Sequence, residues 1–327
     1  MALPSKGHME LATLAFLEGC GMRVNKTNPR QYSARIPALP QVLVLFQRAW
    51  DIPRSVAAGD IDLGITGLDA LAETLDPAQR EVVLIHEALG YGACDLVTAV
   101  PTDWRDVTSM AALAARARQM GGLRAATKYP NAARRFFDQH RLEGIEIVSS
   151  DGALEAAPAI GYADFIIDIS ETGTTLRENN LKTLEDGTLI RSQAVLIGSR
   201  RALESHPDVL AVTYHLLEFI EAHLRARGQY LVFANMRGES REEIAARIFD
   251  QTDLGGLQGP TIAPIISQDT RNGWWAINIV VSTDRLYSAI QQIRAIGGSG
   301  VVATPAAYIF EERPERYQRL LAELGKD

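Results

Sequence analysis

The sequence predicts an α/β protein, with a separate ferredoxin-like module from about residue 207 onward. Three observations lead there. Short apolar runs alternate with helical patterns through the first two hundred residues, as strand-helix-strand units around a largely parallel sheet require. Beyond Pro207 a long amphipathic helix to Arg227 leads into strand, helix, two strands, helix and strand, the βαββαβ order of ferredoxin-like domains. A chain of 327 residues with 46% hydrophobic content also exceeds what one core usually accommodates, so two or three domains are expected.

The elements follow in order. Residues 9–18 carry Leu11, Leu14 and Leu17 at helical spacing and stop at Gly19 and Gly21. Residues 51–58 form a second helix, in which Asp51 is expected to cap free amides, Pro53 fits the first turn and Gly59 ends the element. The run 61–66 reads as a buried strand, and further strands are expected at 82–85, 95–99, 145–148, 165–169 and 193–197. In the C-terminal module, strands are expected at 230–235, 261–266, 274–281 and 300–304, with helices at 240–249 and 284–296. Ser240 and Glu243 have capping-box spacing, and Gly297 and Gly298 terminate the second helix. A polar tail over 311–327 is expected to form one last helix, packed on the body or on a neighbouring subunit.

Composition narrows the function. No apolar run approaches bilayer length, and the first residues lack a charged region followed by an apolar stretch, so the protein is expected in the cytoplasm and off membranes. A net charge of −7 without a Lys/Arg run argues against nucleic acid, so any anion must be held locally. Cys20 and Cys94 have neither zinc nor disulfide spacing and read as small buried hydrophobes. The six histidines are scattered, and no role is assigned to them.

The most informative stretch is Ala163-Asp-Phe-Ile-Ile-Asp-Ile-Ser-Glu-Thr-Gly-Thr-Thr-Leu-Arg-Glu-Asn-Asn180, an apolar strand ending in acids and a small-residue turn. Thr172, Gly173, Thr174 and Thr175 would present amides and hydroxyls at a helix start, where a phosphate is favoured. Asp168 and Glu171 stand just before the turn, placed to take ribose hydroxyls and to face positive charge at an anomeric carbon. The same residues also read as a plain capping box, Thr175 with Glu178.

This segment resembles the phosphoribosyl pyrophosphate loop of phosphoribosyltransferases. Leu3-Pro-Ser-Lys-Gly7, Asn28-Pro-Arg-Gln-Tyr-Ser-Ala-Arg-Ile-Pro37, Asp51-Ile-Pro-Arg54, Gly59-Asp-Ile-Asp-Leu-Gly-Ile-Thr-Gly67 and Lys128-Tyr-Pro-Asn131 narrow the resemblance to ATP phosphoribosyltransferase. Gly256-Leu-Gln-Gly-Pro-Thr261 and Gly297-Gly-Ser-Gly-Val301 resemble the histidine-sensing domain of its long form. The resemblance runs from Leu3 to about Pro305.

The resemblance implies a bilobed body like a type II periplasmic binding protein: lobe I over 1–90 with a return segment at 180–206, lobe II over 91–179, and a ferredoxin-like (ACT-like) regulatory domain with tail over 207–327. It implies a magnesium-dependent reaction, the first of histidine biosynthesis, in which N1 of ATP attacks the anomeric carbon and pyrophosphate leaves with inversion. Magnesium is expected to be held by pyrophosphate and water rather than by a protein cage.

Lys6 and Gly7 are expected near phosphates, though an exposed lysine at a turn is commonly only solvated. Arg30, Arg35 and above all Arg48 can offer a guanidinium to phosphate. Thr66, Gly67 and Asp69, at the carboxyl end of a strand, are candidates around adenine, with a glycine turn and a capping Asp69 as the plain alternative. Lys128, with Tyr129 and Pro130, is placed on the second lobe. Thr261, Gly298 and Ser299 are candidates for histidine as feedback inhibitor, in a homo-oligomer between dimer and hexamer. Two departures from the family stand out: His8 occupies a position where arginine is common, and the leading strand is expected to be short. A solute-binding protein of the same bilobed fold and a catalytically silent regulatory relative are the competing classes.

Overall fold

A computed structural model of the chain describes residues 1–28, 31–76, 78–152, 154–256, 259–266 and 273–326. Two compact units emerge, Met1–Leu217 with Pro314–Asp327, and Glu218–Arg313.

The first unit opens with β1 (Ala2–Pro4), α1 (Gly7–Gly19), β2 (Ser33–Ile36), β3 (Leu39–Gln47), α2 (Ile52–Ala58), β4 (Leu63–Gly67), α3 (Leu68–Thr74) and β5 (Val82–His86). It continues with β6 (Cys94–Pro101), α4 (Met110–Met120), β7 (Leu123–Thr127), α5 (Pro130–Gln139), β8 (Ile145–Ser149), α6 (Ala157–Ile160), β9 (Phe165–Ser170) and α7 (Thr174–Glu178). The chain then returns through β10 (Leu181–Ser192), β11 (Ala194–Ser199) and α8 (Arg200–Ser205) into α9 (Pro207–Ala226).

Two sheets form, in the orders β2-β3-β1-β4-β11-β5 and β10-β6-β9-β7-β8. In the second, β7 and β9 run parallel while β6 and β10 are antiparallel to their neighbours. One face of this sheet packs Leu96, Phe165 and Ile167 against Met110, Leu113 and Phe136 of α4 and α5; the other packs Val97 and Ile166 against Ala157 and Leu176. In the first sheet, Ala2, Val195 and Ile197 bury Ile52 and Val56 of α2. Such cores bury apolar area worth about 25 cal/mol per Å², which holds each helix on its sheet. The leading strand is short, as expected.

Two expectations are corrected here. The return segment at 180–206 is expected to belong to the first lobe, but its residues 181–192 form β10, whose ladder with β6 belongs to the second sheet and carries register shifts at Thr183/Thr188 and Thr188/Ile190. Only from Ala194 does the chain rejoin the first sheet. Asp51 stands at the start of α2 in helical conformation and its side chain caps nothing, although Pro53 and a left-handed Gly59 bound the helix as expected. The tail packs on the body, one of the two placements expected of it, and groups with the first unit. Its α12 (Glu315–Glu323) is held by Arg316 to Glu87, by Arg200 to Glu323, by Lys326 to the carbonyls of Leu203 and Glu204, and by Tyr317 against Tyr214.

The second unit contains β12 (Gln229–Arg237), α10 (Arg241–Gln251), β13 (Thr261–Pro264), β14 (Trp274–Ser282), α11 (Leu286–Ala295) and β15 (Ser299–Pro305). Its sheet order is β13-β14-β12-β15 with every neighbouring pair antiparallel, the order a βαββαβ chain adopts when its helices share one face. Val232, Ala234, Ile277 and Ile279 bury Ile244, Ile248, Ala289 and Ile293 of those helices. The Ser240 hydroxyl accepts from the Glu243 amide at 3.1 Å, while the Glu243 carboxylate reaches the Glu239 amide. Among the described residues, no helix is long and apolar enough to cross a membrane.

Candidate active site

The carboxyl end of β7 lies beside the middle of the parallel strand β9, because Thr127 pairs with Ile167 and its hydroxyl donates to the Ile167 carbonyl at 2.7 Å. The next residue along each chain segment is therefore the other's neighbour: Lys128, just past β7 and 3.9 Å from the Asp151 carboxylate, and Asp168 within β9. Burial pushes the Asp168 carboxyl up to about 6, with Glu155 reinforcing the rise and the Ile169 amide and Lys128 opposing it. A half-buried carboxylate of raised pKa near the carboxyl end of a strand is a common active-site arrangement.

The turn after β9 is built from its own side chains. Gly173 adopts φ 70, a conformation that favours glycine, and its amide donates to the Ser170 hydroxyl at 3.0 Å. The Thr172 hydroxyl donates to that of Thr174 at 3.0 Å. Arg177 folds back over the turn, donating to the Thr172 carbonyl at 3.2 Å and to the Thr174 hydroxyl at 3.1 Å. Glu171, Thr172, Thr174 and Thr175 are all exposed.

Two sequence expectations change. The plain capping-box alternative fails, because Gly173 occupies the cap position and Thr175 lies inside α7. Equally, α7 has five residues, too short to lend the turn much helix dipole. Any anion there depends on the turn's own amides, hydroxyls and the nearby guanidinium.

The opposite wall comes from the first sheet. Asp69 on α3 accepts from the Tyr129 hydroxyl at 2.9 Å and from the Ser192 hydroxyl at 2.7 Å. Burial, reinforced by Asp69 and Asp168, pushes the Tyr129 hydroxyl well above the ordinary phenol range. Burial likewise raises the Cys94 thiol to about 11, helped by the negative charge of Asp69, Glu171 and Asp95. Trp50 packs its ring 4.9 Å from that of Tyr129, and the Lys128 ammonium lies 5.1 Å from the Trp50 ring centre. Buried Glu73 caps α5, its carboxylate accepting from the Asn131 amide at 3.0 Å and the Ala132 amide at 2.8 Å.

Of the predicted site residues, Asp168, Glu171, the turn 172–175, Lys128 and Asp69 converge. Thr66 is fully buried and its hydroxyl is committed to the Ala49 carbonyl at 2.7 Å, so it faces no ligand. Gly67 is buried too, and a Cβ there would meet the Asp69 carboxylate at 2.3 Å; its role is to let α3 begin against that side chain. Asp69 binds protein rather than standing open. Lys6, Gly7 and Arg48 are exposed, with Lys6 and Gly7 at the start of α1 and Arg48 after β3. Arg35 spans its own hairpin to the Pro40 carbonyl at 3.1 Å, and Arg30 lies outside the described residues. Sequence reasoning missed Trp50, Glu73, Ser192 and Arg177. Only Arg177, inside the quoted motif, left a signal in the sequence.

In the second unit Thr261 lies on β13 and Ser299 on β15, at opposite edges of the sheet. Three strand spacings separate them, roughly 14 Å, too far for one amino acid to touch both within a single chain. Gly298 sits against Ile293, where a Cβ would come within 2.3 Å.

The first unit is an α/β body of two sheets, with an acid-and-threonine turn after β9. A model of the ATP phosphoribosyltransferase family matches residues 48–221, and that of "HisG, C-terminal domain" matches 226–307. ATP phosphoribosyltransferase 2, chloroplastic, of Arabidopsis thaliana is 43% identical over 334 residues, covering 99% of this chain and 80% of that protein. The ATP phosphoribosyltransferase of Brucella suis is 47% identical over 233 residues, covering 69% of this chain and 96% of its own. The ATP phosphoribosyl transferase (HisG:HisZ) complex from Thermotoga maritima has a chain 26% identical at TM-score 0.52, covering 67% of this chain and 97% of that one. This chain belongs to the ATP phosphoribosyltransferase family, the pentosyltransferases of histidine biosynthesis.

Proposed function

We propose that the cleft between the two sheets joins ATP to phosphoribosyl pyrophosphate, with the turn 172–175 holding the ribose 5-phosphate and Asp168 with Glu171 facing the ribose. The observation that carries this is the juxtaposition of Lys128 and Asp168, each one residue past the Thr127–Ile167 pair of β7 and β9, four residues before the threonine turn begins, with the Lys128 ammonium 3.9 Å from Asp151. N1 of the adenine bonds to the anomeric carbon as the bond to pyrophosphate breaks, and its electron pair leaves with the pyrophosphate. Asp168 and Glu171 stabilise the positive charge that builds on the sugar, while Lys128 offers a cation to a phosphate. Trp50 and Tyr129 supply an aromatic wall for the base.

Lys6, Gly7 and Arg48 are candidates for the outer phosphates. The family needs a divalent metal, for which we assign magnesium. Among the described residues no three His, Cys, Asp or Glu side chains gather as ligands. The carboxylate oxygens of Asp168 and Glu171 have the hard-donor chemistry magnesium prefers, and they would meet it through water. When bound to the pyrophosphate, it supplies neutralisation of the leaving group's charge.

The second unit we assign to feedback inhibition by histidine, an ACT-like role. Because Thr261 lies at the edge opposite Gly298 and Ser299, one histidine can meet both groups only where two copies of the sheet come together. That supports regulation through a homo-oligomer, up to a hexamer. Histidine must then bind two arrangements of the assembly with different affinity.

Incubating the full chain with ATP, phosphoribosyl pyrophosphate and magnesium, while following product absorbance and pyrophosphate release, tests the reaction. Absence of both signals would overturn the assignment.

A further inference from the structure

We infer that Arg177 is a phosphate-binding residue of the phosphoribosyl site, supplying the positive charge that the five-residue α7 cannot. The inference rests on the reading of the turn 172–175 as the 5-phosphate site.

The guanidinium lies over the turn, within hydrogen-bond distance of the Thr172 carbonyl and the Thr174 hydroxyl. It also lies close enough to Gly173 that a Cβ there would meet Nη1 at 3.1 Å. Among the described residues it has no carboxylate partner within ion-pair distance, and its side chain belongs to an exposed residue. An exposed arginine committed to two neutral oxygens keeps its full charge available, and a phosphate dianion is a stronger partner than either oxygen.

The second part of the argument is the direction of the Thr174 hydroxyl. It accepts from both Arg177 and the Thr172 hydroxyl. With its acceptor positions so used, its own hydrogen remains to be offered as a donor, the polarity an anion needs. Arg177 therefore acts twice: it orients Thr174 as a donor and brings a cation beside it.

The test is calorimetric titration of the full-length protein with ribose 5-phosphate and with phosphoribosyl pyrophosphate, alongside steady-state kinetics. Arg177→Gln keeps a hydrogen-bond donor and loses the charge; Arg177→Lys keeps the charge and loses the planar fork. We expect Arg177→Gln to weaken ribose 5-phosphate binding about tenfold or more and Arg177→Lys by only about threefold. The kinetic loss should fall on the KM for phosphoribosyl pyrophosphate far more than on the KM for ATP, since Arg177 does not meet adenine. Wild-type affinity in Arg177→Gln, with Thr174→Val still weakened, would overturn the inference and leave the phosphate site standing. Loss of ATP and ribose 5-phosphate affinity in equal measure would make Arg177 a mere brace of the turn and overturn it as well. No ribose 5-phosphate binding by the wild-type protein, with Thr174→Val unchanged from it, would overturn both this inference and the site reading.

Discussion

The Asp69 carboxylate joins two hydroxyls that are far apart in the sequence, accepting from Tyr129 at 2.9 Å and from Ser192 at 2.7 Å. One turn along α3, Glu73 caps α5 through the amides of Asn131 and Ala132, and the Arg135 guanidinium reaches the Ala72 carbonyl. The helix that borders the first sheet thus holds the segment carrying Lys128 and Tyr129. Glu73→Ala should leave buried amides without acceptors and cost about 1–3 kcal/mol. Tyr129→Phe removes one hydrogen bond and should cost about 1 kcal/mol. Urea denaturation checks both, and a smaller loss for Glu73→Ala than for Tyr129→Phe would contradict the cap.

Asp168→Asn and Glu171→Gln should keep the fold while cutting turnover by more than about tenfold, because each removes charge facing the sugar cation. The pH dependence has two opposite arms. Activity should fall as pH drops through about 6, where the Asp168 carboxylate takes up its proton. Stability runs the other way. Since burial holds the folded pKa above the unfolded value, the ionised group opposes folding above about 6, and that penalty fades as pH falls toward about 4. Asp168→Asn should then be at least as stable as the wild-type protein at neutral pH, with its advantage shrinking in acid. Near-normal turnover in both variants would defeat the catalytic assignment.

Thr174→Val deletes the donor that Arg177 and the Thr172 hydroxyl orient. Its dissociation constant for phosphoribosyl pyrophosphate should rise roughly tenfold, with a smaller effect on turnover at saturation. An unchanged constant by calorimetry would mean that the turn holds no phosphate.

The tail helix α12 depends on Glu87, whose carboxylate takes both arms of Arg316 at 2.9 and 2.7 Å. That hydrogen bonding draws the Glu87 carboxyl down to about 2. Its contribution is therefore present above the ordinary glutamate value of about 4.3 and is lost as pH falls toward 2. The neighbouring His86 adds to the acid sensitivity: burial, aided by Arg316, pushes it down to about 4. Below about 6.5 the unfolded chain binds a proton there that the folded one refuses. Glu87→Gln should speed amide exchange over residues 315–323 at neutral pH, and unchanged exchange would show that the ion pair does not hold the tail.

Regulation is best tested on the full chain, because α9 up to Leu217 and the tail both belong to the first unit, so a cut near residue 200 would damage the body as well as remove the sensor. Ser299→Ala and Thr261→Val should each weaken histidine binding by about threefold to tenfold. ATP turnover without histidine should be unaltered. Equal histidine affinity in both variants, or none in the wild-type protein, would end the proposal.

The α/β class, the βαββαβ order of the second unit and the turn 172–175 were all legible in the sequence, because each rests on local patterns: apolar periodicity, capping spacing and a run of small residues after acids. Local chemistry also marked Gly59 and Gly173 for turns, and their φ values of 79 and 70 agree. What it could not supply was partnership across the chain. Thr66 and Asp69 share a strand-end motif, yet tertiary packing turns one into a buried brace of the Ala49 carbonyl and the other into the acceptor for Tyr129 and Ser192. The charged β10 reads as part of the return to the first lobe because its place in the second sheet comes from pairing with β6, and Thr261 and Ser299 read as neighbours until the sheet order puts them at opposite edges. Short-range preferences are written residue by residue; strand order and the partner of a buried polar group depend on contacts between residues a hundred positions apart, which only the folded chain brings together.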